Sequence, residues 1–142
     1  MTHKKSSIVL VFNHQGELAL QKRGMKDKSY PLHWDFSAAG GIEPGENPLS
    51  AALRELREEL GIETDVKFVT EKLFQDEENS DYLYIYKALY DGEFLPDELE
   101  VEKVKFFKLE EIKQMINSGE KFHPEFIFLW GQGLIKKNNL FF

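Results

Sequence analysis

The segment "NPLSAALRELREELG", residues 47–61, constrains the chain more than any other. Asn47 is a good N-cap, Pro48 is tolerated at a first helical position and Gly61 is a strong stop, so the spacing predicts one helix between them. Leu49, Ala52, Leu53, Leu56 and Leu60 recur at three- and four-residue intervals and form an apolar stripe that faces a core. At about 100° per residue, Glu55, Glu58 and Glu59 gather on the flank of that stripe, with Ala51 among them. Exposed carboxylates at a helix C-terminus are disfavoured by about 0.3–1 kcal/mol each, and Glu55 and Glu59, four residues apart, repel. Two readings follow. The cluster is a solvated acidic face partly neutralised by Arg54 and Arg57, or it holds a divalent cation that removes both penalties. Oxygen-only donors on a partly open site select Mg²⁺ or Mn²⁺.

The preceding loop bears on that choice. Gly40–Gly41 and Pro44–Gly45 permit tight backbone conformations, so a carbonyl near Ala39 can turn toward the carboxylates while Glu46 reaches Arg54. Around this unit the chain reads as strands and short helices. "SIVLVF" and "LALQKR" flank the turn "NHQGE" as a hairpin, and "WDFSAA" is one short strand. "DVKFVTEKLFQ" and "YLYIYKALY" form a second hairpin about "DEENSD", and "EVEKVKFFKL" is a late strand. "EEIKQMINSG" is a short helix, and "HPEFIFLWGQGLIKK" is a C-terminal helix beginning at Pro124. Hairpins without a regular βαβ rhythm indicate an α/β (α+β) sandwich with a mixed sheet covered by helices. At 142 residues the chain makes one domain, 1–142, without room for a second well-packed core.

Composition excludes several functions. A formal charge of −7 argues against a nucleic-acid polymer as partner, because that affinity comes from Lys and Arg on phosphates. With no cysteine, thiolate metal sites and cysteine nucleophiles are excluded. The five-residue apolar run near the N-terminus is too short for a signal, and nothing approaches the roughly 18 apolar residues of a membrane span. A cytoplasmic protein without a membrane partner is expected.

Gly40, five residues, Glu46, seven residues, then "RELREELGI" reproduces every specified position of the Nudix box, so the chain resembles the Nudix hydrolases over essentially its whole length. The resemblance implies a Nudix-type α/β/α sandwich. It also implies Mg²⁺- or Mn²⁺-dependent hydrolysis of the diphosphate bond in a nucleoside diphosphate derivative or related organic pyrophosphate. By motif position Glu58 and Glu59 would be principal metal ligands, Glu55 a ligand or water-orienting base, and the Ala39 carbonyl a further ligand. Arg54 would pair with Glu46 or Glu55. Gly40 and Gly41 would line the substrate, and a homodimer is compatible with the family.

"QKRG" followed by "LHWDFSAAGG", and the C-terminal third, look like the branch that includes isopentenyl-diphosphate isomerase. Such isomerases carry a cysteine and a metal-binding histidine where this chain has Ala39 and Gly41, which disfavours isomerase chemistry. A non-catalytic nucleotide sensor is the other alternative, and the intact glutamate set argues against it. Outside the box, Glu100 is the first candidate for an additional base or ligand, with Glu98 and Glu102 behind it. Arg23 and Lys22 are candidates for phosphate contacts. Trp34, Phe36 and Tyr30 could stack a ring or belong to the core. His123–Pro124 reads as a helix start, His33 is too isolated for a metal site, and His3 and His14 read as surface.

Overall fold

β1 (Lys4–Phe12) is apolar from Ile8 onward because both of its faces are covered, and the computed structural model, which describes residues 3–136, builds a mixed sheet around it. Along one edge β1 runs parallel to β6 (Ser80–Leu89), which pairs antiparallel with β5 (Lys67–Gln75). Its other edge is shared. Phe12 pairs with Leu18 of β2 (Leu18–Arg23), but from Val9 back to Ser6 the partner is β4 (Ala38–Gly41). Beyond Leu18, β2 turns to β3 (Trp34–Asp35) on the same side and to β7 (Val101–Phe107) on the other.

The segment read as one strand, "WDFSAA", is therefore two. β3 and β4 diverge at Phe36–Ser37 and wedge β1 apart from β2. Ser37 plugs the gap, its Oγ accepting from the Val11 N–H at 2.9 Å and donating to the Ala19 carbonyl. These backbone groups are buried and have lost their ladder partners, so one fully buried hydroxyl stands in for a missing strand.

Two cores follow from alternation along the strands. Ile8, Leu10, Phe12, Leu18 and Leu20 pack with Ile112 of α2 (Leu109–Asn117) and with Phe126 and Leu129 of α3 (Pro124–Gly131). Val9, Val11, Ala19 and Ala38 pack on the opposite face with Ala52, Leu56 and Leu60 of the helix that begins at Pro48. The result is an α/β/α sandwich. The second hairpin, the late strand and the short helix agree with the sequence reading. The C-terminal helix ends at Gly131, short of the residues expected, and its last expected residue, Lys137, lies outside the described residues. No helix among the described residues is long and apolar enough to cross a membrane.

The α3 side holds one buried acidic contact. Asp81 is 2% exposed and accepts from Ser6 Oγ at 2.9 Å, and Glu125 lies against it at the second position of α3. Burial first, and then the contact with Asp81 and its charge, push the Glu125 carboxyl up to about 9.

Two outcomes are expected. Ser37→Ala strands a buried N–H and a buried C=O and should cost about 2 kcal/mol, read from urea unfolding. For Glu125, a folded-state pKa above the ordinary 4.5 adds stability that is fully present below about pH 4.5 and lost as pH rises toward 9. Glu125→Gln should flatten the decline in unfolding free energy between pH 5 and pH 9; parallel profiles for variant and wild type would contradict this account of the pair.

Candidate active site

The glutamate helix begins as read from sequence. Asn47 Oδ1 accepts from the Ser50 N–H at 2.8 Å, Pro48 opens the helix, and α1 runs from Pro48 to Glu55. It then changes hydrogen-bond pattern, and Leu56–Leu60 form a π-helical turn. The buried face differs from the expected stripe: Leu49 is 46% exposed, while Ala51, Ala52, Glu55, Leu56 and Leu60 are buried. The helix is rolled so that small Ala51 lets Glu55 tuck under the sheet, and the wider turn carries Glu59 to the same side.

Gly61 ends the turn at φ 65°, and a Cβ there would lie 2.6 Å from the Leu95 carbonyl oxygen. Only glycine meets both demands. The close approach lets the 94–100 loop satisfy the last carbonyls of the turn, Leu95 N–H donating to Leu60 O at 2.8 Å and Asp97 N–H to Glu59 O at 3.2 Å. The far end of this loop is tied to β2 by the Gly24 N–H, which donates to the Glu100 carbonyl at 3.0 Å. Glu100 is thereby brought to the glutamate helix.

Arg54 organises the cluster. Its Nε and Nη2 grip Glu46 through bonds of 2.7 and 2.9 Å, Nη1 reaches Glu55 at 2.6 Å and Glu58 at 3.0 Å, and Nη2 donates to the Gly41 carbonyl at 3.0 Å. The expected Arg54–Glu46 contact is present and bidentate, and it holds the Glu46 carboxyl at about 2. Glu59 is held differently, Oε1 accepting from Gln21 Nε2 at 3.0 Å and from the Ala39 N–H at 2.9 Å. Gln21 also donates to the Ser37 carbonyl at 3.1 Å, which ties the carboxylate to the wedge between the strands. Gly40 faces Glu55 so closely that a Cβ would lie 2.2 Å from its Oε1.

Burial raises the pKa of Glu55, Glu59 and Glu100 alike. Glu58 and Glu100 add to the shift at Glu55, Glu55 and Asp35 to that at Glu59, and Asp97, Glu58 and Asp27 to that at Glu100. These like charges mark an electrostatic well for a cation. Among the described residues no three acidic or histidine side chains already stand as a metal cage, because the Arg54 guanidinium occupies the space between Glu46, Glu55 and Glu58. The positive charge on the outer glutamates is that of the Arg54 side chain itself. The donor set, all carboxylate and carbonyl oxygen beside a glycine cradle, fits a hard divalent ion.

Ala39, Gly40, Glu55, Glu59, Glu100 and Arg23 meet around a cleft of about 470 Å³. Glu58, half exposed, stands outside its lining, as do Gly41, Glu98 and Glu102. Arg23 reaches the cleft already engaged, with Nη1 at 2.8 Å from Asp35 and Nη2 at 3.0 Å from Asp27. Trp34 differs from the substrate-binding expectation. It is 5% exposed in the α2–α3 core and, with Phe36, turned away from the cleft, because the two rings, flanking Asp35, fall on the apolar side of the chain. Sequence reading missed Lys4, Gln21, Lys26 and Asp35 in the cleft wall. A glutamine in the middle of an apolar strand was the available signal for Gln21.

The NUDIX domain family model matches residues 1–129. The chain belongs to the Nudix family. An uncharacterized Nudix hydrolase of Listeria monocytogenes is 38% identical over 120 residues, 83% of this chain and 70% of the relative. An isopentenyl-diphosphate Delta-isomerase of Serratia proteamaculans is 32% identical over 97 residues, 65% of this chain and 54% of that protein. The MutT protein of Methanosarcina mazei superimposes with a TM-score of 0.79 at 20% identity, covering 92% of this chain and 91% of the other, which shows the shared fold. The Nudix box of this chain is thus the helix, loop and strand that converge on the cleft.

Gly40→Ala should leave the fold standing, since the atoms it strikes are the side-chain end of Glu55 rather than backbone, but should displace that carboxylate. Turnover of a cleaved diphosphate is expected to fall at least about 100-fold with little change in melting temperature; retained turnover would separate Glu55 from the chemistry.

Proposed function

We propose that this Nudix hydrolase cleaves the diphosphate bond of a nucleoside diphosphate derivative or related organic pyrophosphate, in a divalent-cation-dependent reaction in the cytoplasm. The observation that carries the reading is the meeting of Glu55, Glu59 and Glu100, all with raised proton affinity, in one cleft with Lys4, Arg23 and Lys26. Acidic groups attract a cation and can accept a proton, while the flanking cations suit phosphate oxygens.

Glu55, Glu58, Glu59 and the Ala39 carbonyl would hold Mg²⁺ or Mn²⁺, which would neutralise charge on the phosphates and make a water more acidic. The chain's own groups supply the rest. Arg54 holds Glu55 and Glu58 in register with the loop, and Gln21 and the Ala39 N–H hold Glu59. Lys4 and Lys26 meet the phosphates of the substrate, with Arg23 positioned by Asp35 behind them. A carboxylate of Glu100 or Glu55 takes the proton of the attacking water. Water oxygen bonds to phosphorus as the bridging P–O bond breaks, and two phosphate-terminated products leave.

Product release should be followed with nucleoside diphosphate derivatives, nucleoside triphosphates and isopentenyl diphosphate, with Mg²⁺, with Mn²⁺ and with chelator. Cleavage that chelator abolishes is expected for one nucleotide class, and Glu58→Gln should lower kcat/KM at least about 100-fold without unfolding the protein. Glu100→Gln should lower kcat by about 100-fold or more if Glu100 is the base. Nucleotide binding without any cleavage would replace the hydrolase with a sensor.

A further inference from the structure

Gln21 follows three apolar residues in β2, and its backbone is paired on both sides, with Asp35 of β3 and with Val104 of β7. Leu18 and Leu20 turn to the α2–α3 core and Ala19 to the core under α1. Alternation therefore sends the Gln21 side chain to the α1 face, where it is 6% exposed and lines the glutamate cleft. Burying an amide costs free energy unless its polar atoms find partners, so the place of each atom of this side chain carries information.

The partners fix its orientation. Nε2 donates to the Ser37 carbonyl at 3.1 Å and to Glu59 Oε1 at 3.0 Å. A backbone carbonyl only accepts, so the amide cannot be turned over, and both of its N–H groups are spent. Its oxygen, Oε1, points away from both acceptors. That oxygen has no partner among the described residues, yet it is not sealed in, because Asp81 Oδ1 is the one enclosed side-chain atom among them without a partner. The cleft is the open space that it faces.

The effect on Glu59 is one-sided. Oε1 takes two donors, Gln21 Nε2 and the Ala39 N–H at 2.9 Å. Oε2 takes none among the described residues and is likewise not sealed in. Two neighbouring side chains thus each present one oxygen to the cleft without a donor from the chain. A hard divalent ion that keeps some of its water satisfies both at once, since the ion suits a carboxylate oxygen and the water donates to an amide oxygen.

We infer that Gln21 is a positioning residue for the divalent cation: its amide nitrogen turns Glu59 so that Oε2 faces the ion, and its amide oxygen accepts from a water that the ion keeps. The inference rests on the reading of the glutamate cleft as the cation site. A carboxylate already pinned through one oxygen, by a side chain on a strand paired along both edges, has little left to order when the ion arrives. Groups that orient a metal ligand in this way typically change metal affinity by about 10–100-fold when removed.

Mn²⁺ binding to the free protein, followed by the EPR signal of the unbound ion, tests this without any turnover. Gln21→Met, of similar length with neither donor nor acceptor, is expected to weaken Mn²⁺ at least about tenfold. Ser37→Ala loosens the same strand junction but keeps the Ser37 carbonyl and the Gln21–Glu59 bond, and is expected to bind Mn²⁺ as the wild type does. Melting curves establish that both variants are folded; should Gln21→Met not fold, Gln21→Asn, whose amide is one methylene short of Glu59, takes its place with the same expectation. Wild-type affinity in the Gln21 variant, or an equal loss in Ser37→Ala, would overturn the positioning role and leave the cation site standing. A wild-type protein that binds no Mn²⁺ would remove the cation site, and this inference with it.

Discussion

Glu55 and Glu59 are like charges buried side by side near the end of one helix, and most of the local architecture exists to tolerate them. Alone, two such groups would take up protons or push the helix outward, because desolvation and mutual repulsion both oppose ionisation. Opposing partners hold them in place. Arg54 brings a guanidinium to Glu55, and it is itself fixed by the two-bond grip on Glu46 and by the Gly41 carbonyl. Glu59 receives two N–H donors, one from Gln21 and one from the backbone at Ala39. The Gly40 position, where a methyl group would strike Glu55, leaves the room that the buried carboxylate fills.

The parted strands belong to the same arrangement. Because β4 rather than β2 pairs with the first half of β1, the Ala38–Gly41 backbone comes to lie against the helix, and Ala39 can use its N–H on Glu59. Gln21 reaches the same carboxylate from β2 and ties it to the Ser37 carbonyl in the wedge. The hydroxyl of Ser37 closes the gap that the divergence opens. A regular β1–β2 hairpin would have fuller ladders and no place for a buried carboxylate.

Much of this was legible in the residues, and the exceptions have physical causes. The cap at Asn47, the stop at Gly61 and the Glu46–Arg54 contact followed from turn chemistry and charge, whereas Glu100 was a candidate only through the likeness to the family, and its place in the cleft wall is set by the tertiary fold. The roll of the helix did not, because Leu49 satisfies a 3.6-residue periodicity as well as Ala51 does; the need to bury Glu55 under a glycine decides between them, and that need is tertiary. The split of "WDFSAA" was invisible for a related reason: pairing partners change at Ser37 without any break in strand propensity. Trp34 could have served cleft or core, and the side of β3 on which it falls depends on that split.

The π-helical turn gives the clearest case of local irregularity set by tertiary contacts rather than by propensity. "LREEL" is strongly α-forming, so its wider pattern is imposed from outside. Two backbone donors from the 94–100 loop take the carbonyls of Glu59 and Leu60, and Gly61 admits that loop at a distance no side chain would allow. The same contacts that bend the helix therefore deliver Glu100 to the cleft. An ideal α-turn would rotate Glu59 away from Gln21 and withdraw the landing site of the loop, so the placement of an acid from outside the motif and the geometry of the acids within it depend on one distortion.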